Sequence, residues 1–392
     1  DAAWRAEAWE RIEEIRKGDM NVTVVDKNGK PVKGATVDVN MYEHDFEFGT
    51  AVNSNIYNEN AQIYRDAVSG NFNSGVSEGS TKWKNIENWP EISLQEFDTL
   101  LSLGIKYLRG HTLMWDMYPD DMWASYVIPD RMWELVDDID AYNAEVGKHI
   151  KEATAAMLKY TTEWDVLNEA VEKSYVQDIF GNDVVVEWFD MAREALGDEG
   201  VLYYNDYVIT HELFEVLDRF KEQGVDYDGI GIQSHLATYL RSPEILYDFY
   251  DQLAEKYGKR LKITEFSIDL TKDEITDEYM ANYLRDFLIS AFSYGSMDAF
   301  MFWWFNDTSE TTNHCLYDIN WNLKKAGEVW QDLVYNKWWT SESLTTDEAG
   351  KVSLCGFYGD YDVTVTAADG KTKTVSIPLH NGEESDFVIV VD

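Results

Sequence analysis

Eight times between residues 46 and 305 a short apolar run gives way to a longer amphipathic or polar stretch. The short runs are "FEFGTAV", "FNSGVS", "KYLRGHTLM", "EWDVLN", "VLYYND", "GIGIQSH", "RLKITEF" and "AFMFWWF". Each has the length of a buried strand. Among the stretches between them, 132–159, 183–196 and 243–257 carry apolar residues at helical spacing. Strands that alternate with helices form a parallel sheet with the helices outside it. Eight such units over residues 42–338 predict an α/β chain built on a closed (β/α)8 (TIM) barrel. An open doubly wound sheet would carry a glycine-rich phosphate turn, and neither GxGxxG nor a P-loop occurs.

The flanks read differently. Residues 1–41 offer a helix over 3–17, with Trp4, Ala8, Ile12 and Ile15 near helical spacing, and then the strands "NVTVVD" and "ATVDVNMY". Asn28-Gly29 between these strands is a strong turn dipeptide. Residues 339–392 hold short alternating strands, with turns at 358–360, 369–370 and 381–382. The shared character of the two flanks predicts one small accessory β-sandwich built from both chain termini.

Composition narrows the partners. With 73 acidic and 33 basic residues the net charge is −40, which argues against nucleic acid and anionic membranes. No apolar stretch is long enough to span a bilayer. The first 20 residues lack an apolar signal core, so a leader either never existed or was removed before Asp1; removal is the expectation. Cys315 and Cys355 have no Cys or His partners at ligand spacing. A disulfide and two thiols both stay open; no metal or cofactor is expected.

Barrel enzymes carry their reactive groups at the carboxyl ends of the strands. In strand order those ends offer Glu78, Lys82 and Trp83; His111 and Trp115; Asn168 and Glu169; Asn205, Asp206 and Tyr207; Gln233 and His235; Glu265; then Trp303, Trp304 and Asp307. Glu169 and Glu265 each close an apolar strand, a costly place for a charge without partners or a task. Strands four and seven lie on opposite sides of an eight-stranded barrel, so the two carboxyls can face across its mouth. A facing pair is the equipment for glycoside hydrolysis: one protonates the leaving oxygen, the other attacks the anomeric carbon or activates water. The bland alternative makes each an ordinary loop-edge charge, and the convergence of both with Asn168 and an indole-rich rim weighs against it. Trp115, Tyr118, Trp123 and Tyr126 crowd the loop after strand three, offering flat faces for sugar C–H groups. His44, His149, His211 and His380 read as structural or exposed. His111 and His235 sit at strand tips and favour site roles; a metal site built with Glu265 is the minor alternative, because the aromatic rim suits sugar better.

"RGHTLMWD", "WDVLNEA", "GIGIQSHL" and "ITEFSID", in this order, resemble the glycoside hydrolase family 10 xylanases, and "FEFGTAVN" and "FMFWWFND" extend the resemblance over roughly residues 42 to 337. It implies a retaining endo-β-1,4-xylanase, secreted and monomeric, whose partner is xylan or a xylo-oligosaccharide. By motif match, Glu169 is the general acid/base and Glu265 the nucleophile. Glu78, Lys82 and Trp83 match the sugar-binding run after strand two. His111, Trp115, Asn168, Gln233, His235 and Trp303 match groups around the cleaved sugar, and Tyr207 joins them as a binding candidate. The chain departs from the pattern at Gly79 (usually Asn), Asp116 (usually His), Ser267 (usually Asp) and Trp304 (usually Gly). Asp269, on the same strand face as Ser267, is the expected compensation. Gly79 and Asp116 change donors or charge beside the cleaved sugar, so they bear on substrate and rate more than on reaction class. Two alternatives follow: a related β-glycanase or decorated-xylan hydrolase, and a catalytically weak barrel that binds polysaccharide.

Overall fold

The computed structural model describes residues 2–237 and 240–391. After a helix at Ala3–Ile15 come strands β1 (Lys17–Asp26) and β2 (Thr36–His44). The eight apolar runs then form strands β3 (Glu47–Val52), β4 (Ser74–Ser77), β5 (Tyr107–Trp115), β6 (Glu163–Asn168), β7 (Val201–Asp206), β8 (Gly229–Ile232), β10 (Arg260–Ile268) and β11 (Met297–Phe302). A two-residue strand, β9 (His235–Leu236), pairs with the end of β10. The chain finishes with β12 (Ser341–Thr345), β13 (Lys351–Phe357), β14 (Gly359–Thr366), β15 (Thr372–Leu379) and β16 (Asp386–Val391).

The eight long-range strands pair in parallel in sequence order, and β11 bonds to both β3 and β10, closing a (β/α)8 barrel. Helices Asp183–Leu196 and Pro243–Tyr257 form where the spacing predicts them. The run 132–159 breaks in two. A 3-10 turn covers Asp130–Glu134, and the helix proper is Ile139–Met157. Asp138 causes the break: its carboxylate accepts from Ala141 N at 3.1 Å, capping the new helix.

Two compact units emerge: Phe48–Ile275 with Ser296–Asn322, which contains the barrel strands, and Asp1–Glu47 with Thr276–Gly295 and Leu323–Asp392. In the second, both chain ends build two sheets, β13-β1-β16 and β12-β2-β14-β15. Alternation drives this: Met20, Val22 and Val24 on β1 and Tyr361, Val363 and Val365 on β14 are buried, with more polar neighbours between them. The Asn28-Gly29 turn forms, with Gly29 at φ 79°, yet β1 and β2 part into different sheets instead of pairing. Cys355 is an exposed free thiol, so the disulfide alternative is not realised.

Inside the barrel a charged layer supports the strand tips. Arg109 Nη2 lies 2.6 Å from Asp165 Oδ1, and its Nε 2.5 Å from Glu163 Oε1. Lys262 Nζ reaches both Glu163 oxygens at 2.8 Å. All four side chains are largely buried. Burial alone would raise both carboxyls, but the facing cations hold Glu163 and Asp165 below the ordinary carboxylate range. Just above this layer the strands slip in register, between His111 and Met114 on β5, Asp165 and Leu167 on β6, and Ile263 and Phe266 on β10. Such irregularities re-aim side chains. They let Asp165 and Asn168, and likewise Thr264 and Glu265, all turn inward.

Candidate active site

Glu169 follows the last residue of β6 with φ 61°, in the left-handed region that a non-glycine residue occupies at a cost of about 1–3 kcal/mol. Its N–H donates to Asn205 O at 2.8 Å, which ties the strained residue to β7. The carboxyl accepts from Gln233 Nε2 at 3.0 Å and from Trp115 Nε1 at 3.1 Å. Burial pushes the acid up to about 7; the Gln233 hydrogen bond opposes this, and the nearby negative charge of Glu265 reinforces it.

Glu265, on β10, meets the opposite treatment. Burial would raise it too, but the hydrogen bond from His235 and the charges of His111 and His235 outweigh that and hold it below its ordinary value. His235 Nε2 lies 2.8 Å from Glu265 Oε2, and Asn205 Nδ2 lies 2.8 Å from Oε1. One carboxyl is thus kept protonated near neutrality while the other stays ionised, the division of labour that acid and nucleophile require.

A relay of amides links them. Asn205 Oδ1 accepts from Thr264 Oγ1 at 2.6 Å, which fixes its NH2 towards both Glu265 and Asn168 Oδ1, the latter at 2.9 Å. Gln233 Nε2 donates to the same Asn168 oxygen at 3.1 Å. With its oxygen doubly engaged, Asn168 presents its NH2 to the groove it lines. Gly231 is part of this design: a Cβ there would lie 2.3 Å from Asn205 Oδ1.

The groove has a volume of about 660 Å³, and Glu78, Lys82, His111, Trp115, Asn168, Glu169, His235, Glu265 and Trp303 all line it. Lys82 Nζ sits 5.0 Å from the Trp115 ring and 5.8 Å from Trp303. Burial lowers its pKa, against the pull of Glu265, Glu169 and Glu78. Gln233 lies behind the groove wall, acting through Glu169 and Asn168.

Two expected residues lie elsewhere. Trp83 is buried, stacked on His149 with ring centroids 4.4 Å apart, and its indole donates to Glu87 at 3.0 Å. It starts a helix, Trp83–Asn88, that turns the ring into the core. Tyr207 lies past the end of β7 and gives its hydroxyl to Glu172. Asn205, two residues earlier on the inward face, does the work at that strand tip. Alternation puts positions 205 and 207 on the same face, and only the end of β7 at Asp206 separates them.

The departures are also resolved. Asp116 turns away from the sugar side: it accepts from Val176 N at 2.8 Å, Gln177 N at 3.2 Å and Gln177 Nε2 at 3.1 Å, anchoring the segment after Glu169. Ser267, not Asp269, takes His235 Nδ1, at 2.6 Å. A hydroxyl there both donates and accepts, so it serves either protonation state of the ring. Trp304 lines the groove and tilts over His314, with ring centroids 5.1 Å apart. Among the described residues, no cluster of three or more His, Cys, Asp or Glu side chains could hold a metal ion.

Residues 39–332 match the glycosyl hydrolase family 10 profile. The chain belongs to glycosyl hydrolase family 10. One relative is the anti-sigma-I factor RsgI6 of Acetivibrio thermocellus, 29% identical over 97% of this chain and 49% of its own length. Another is a beta-1,4-xylanase of Dictyoglomus thermophilum, 29% identical over 59% of this chain and 66% of its own. The chain thus spans about half the length of the first relative and about two thirds of the second. Among solved structures of the family, xylanase 10B from Thermotoga petrophila, determined with xylobiose, superposes with a TM-score of 0.63 at 21% identity, covering 75% of this chain and 95% of that one. Among the described residues no helix is long and apolar enough to cross a membrane.

Proposed function

We propose that this family 10 chain is a retaining endo-β-1,4-xylanase that hydrolyses plant cell-wall xylan outside the cell, as a monomer. The observation that carries the reading is the carboxyl pair: Glu169 pushed up to about 7 and Glu265 held low, joined by one amide relay in one groove. The xylanase relatives support the substrate class. Xylan is too large to enter a cell, and all reacting groups come from one chain.

In the first step Glu169 gives its proton to the glycosidic oxygen while a Glu265 oxygen bonds to the anomeric carbon and the C–O bond breaks. The Asn168 NH2 meets the sugar 2-hydroxyl, a contact that strengthens as positive charge builds on the ring. Esterified Glu265 no longer carries charge, so Glu169 loses its like-charged neighbour and holds its proton less tightly. It then takes a proton from water as the water oxygen replaces Glu265 at the anomeric carbon, restoring the original configuration. Proton NMR of the first product from a linear xylo-oligosaccharide tests this: a β-anomer appearing first is expected, and an initial α-anomer would sink the retaining step.

A second reading has a specific basis. One relative matched over 97% of this chain is an anti-sigma-I factor, a regulatory protein, and it favours a barrel that binds polysaccharide without cleaving it. Binding of xylan without release of reducing sugar would select that reading.

A further inference from the structure

A second cavity, of about 410 Å³, opens beside the groove and shares Glu78 with it. Gly79 forms part of its wall. Nothing local requires glycine there. Residue 79 is not among the positive-φ positions, and a Cβ built on it would meet only Asn85 Nδ2, at 3.8 Å. The cavity includes room that a longer side chain at 79 would take. Its size falls within the range of small-molecule sites, about 300–1,000 Å³.

Its lining selects among guests. Glu96 is only 3% exposed yet faces the cavity, with Ser80 Oγ 2.5 Å from its Oε2. Glu78 accepts from Asn53 Nδ2 at 3.4 Å. Two carboxyls and two asparagine amides give hydroxyl groups acceptors and donors. Trp89, 49% exposed, offers an aromatic face at the edge. Among the described residues no Lys, Arg or His lines the cavity, so an acidic guest would meet like charge and no counter-charge.

We propose that this side chamber receives an uncharged pentose branch, of the arabinofuranosyl kind, carried by a main chain lying in the groove, and that Gly79 is the residue that admits it. The proposal rests on the reading of the groove as a xylan cleft.

The test compares kcat/KM for a linear xylo-oligosaccharide and for oligosaccharides carrying one arabinofuranosyl or one glucuronosyl branch on each sugar in turn. The native enzyme is expected to cleave one arabinofuranosyl isomer at least as well as the linear chain, and each glucuronosyl isomer less well at that position. Gly79→Gln and Trp89→Ala should each lower the ratio of branched to linear cleavage about tenfold or more. Neither position is packed in the core, so both variants should melt with the native protein. An unchanged ratio in both variants, or preference for the glucuronosyl branch there, overturns the chamber while linear cleavage leaves the xylanase reading standing. Failure of the linear chain both to bind and to be cleaved removes the two together.

Discussion

Asn205 Nδ2 stands 2.8 Å from Glu265 Oε1, and the same nitrogen reaches Asn168 Oδ1 at 2.9 Å. In the proposed mechanism, one amide therefore orients both the attacking carboxylate and the group that meets the sugar 2-hydroxyl. Replacing Asn205 with Ala should lower kcat and kcat/KM together, by roughly 10²-fold, because the donor acts where charge develops. Steady-state kinetics check this. A variant that melts earlier but keeps its kcat would show that Asn205 is only structural.

The unequal carboxyls set a pH profile. As the proposed general acid, Glu169 must hold its proton, so activity should fall as pH rises through about 7. Glu265 must be ionised and lies below its ordinary value, so the acid limb should fall below the usual carboxylate range. In Glu169→Ala, an aryl glycoside with a good leaving group needs no proton, and its first-turnover rate should lose the alkaline limb. A native rate that stays flat from pH 6 to 9 would contradict the assignment.

Arg109 neutralises Asp165 and Glu163 inside the barrel. Arg109→Ala leaves buried anions short of a partner, and denaturant unfolding should show a loss of about 3–5 kcal/mol. Since both carboxyls are held low, their contribution is complete above the unfolded value of about 4 and should fade as pH drops below it. A loss under 1 kcal/mol would mean that the layer is dispensable.

Asp116 titrates the other way. Burial raises it to about 6, against the hydrogen bonds from Val176 and Gln177. The folded chain then binds this proton more tightly than the unfolded one, so the group costs stability as pH rises from about 4 to 6. Asp116→Asn removes the titration. The stability difference between variant and native protein should shift in the variant's favour by about 2 kcal/mol between pH 4 and 7. Parallel pH–stability curves would rule out a raised Asp116.

The barrel and its acidic pair were legible because both leave marks that survive without coordinates. Apolar runs of strand length alternate with helices, and Glu169 and Glu265 end such runs where charge is expensive. What stayed hidden depends on register. Simple alternation cannot place both Asp165 and Asn168 inside the barrel; the slip between Asp165 and Leu167 does. Trp83 belongs to a sugar-binding motif in sequence, but the helix it begins carries the ring inward. Asp116 replaced a residue expected beside the sugar, and only the position of Val176 and Gln177 reveals its partner. The Asn28-Gly29 turn was correctly placed, while the separation of β1 from β2 depends on partners that lie far along the chain.

That separation has a consequence in time. β1 sits between β13 and β16, with Asn21 opposite Asp386, 365 residues away. At about 5–20 residues per second, a ribosome needs roughly 20–70 s to supply that partner. Through this interval the newborn β1 exposes open edges, and the terminal sheet closes only after translation has passed residue 386.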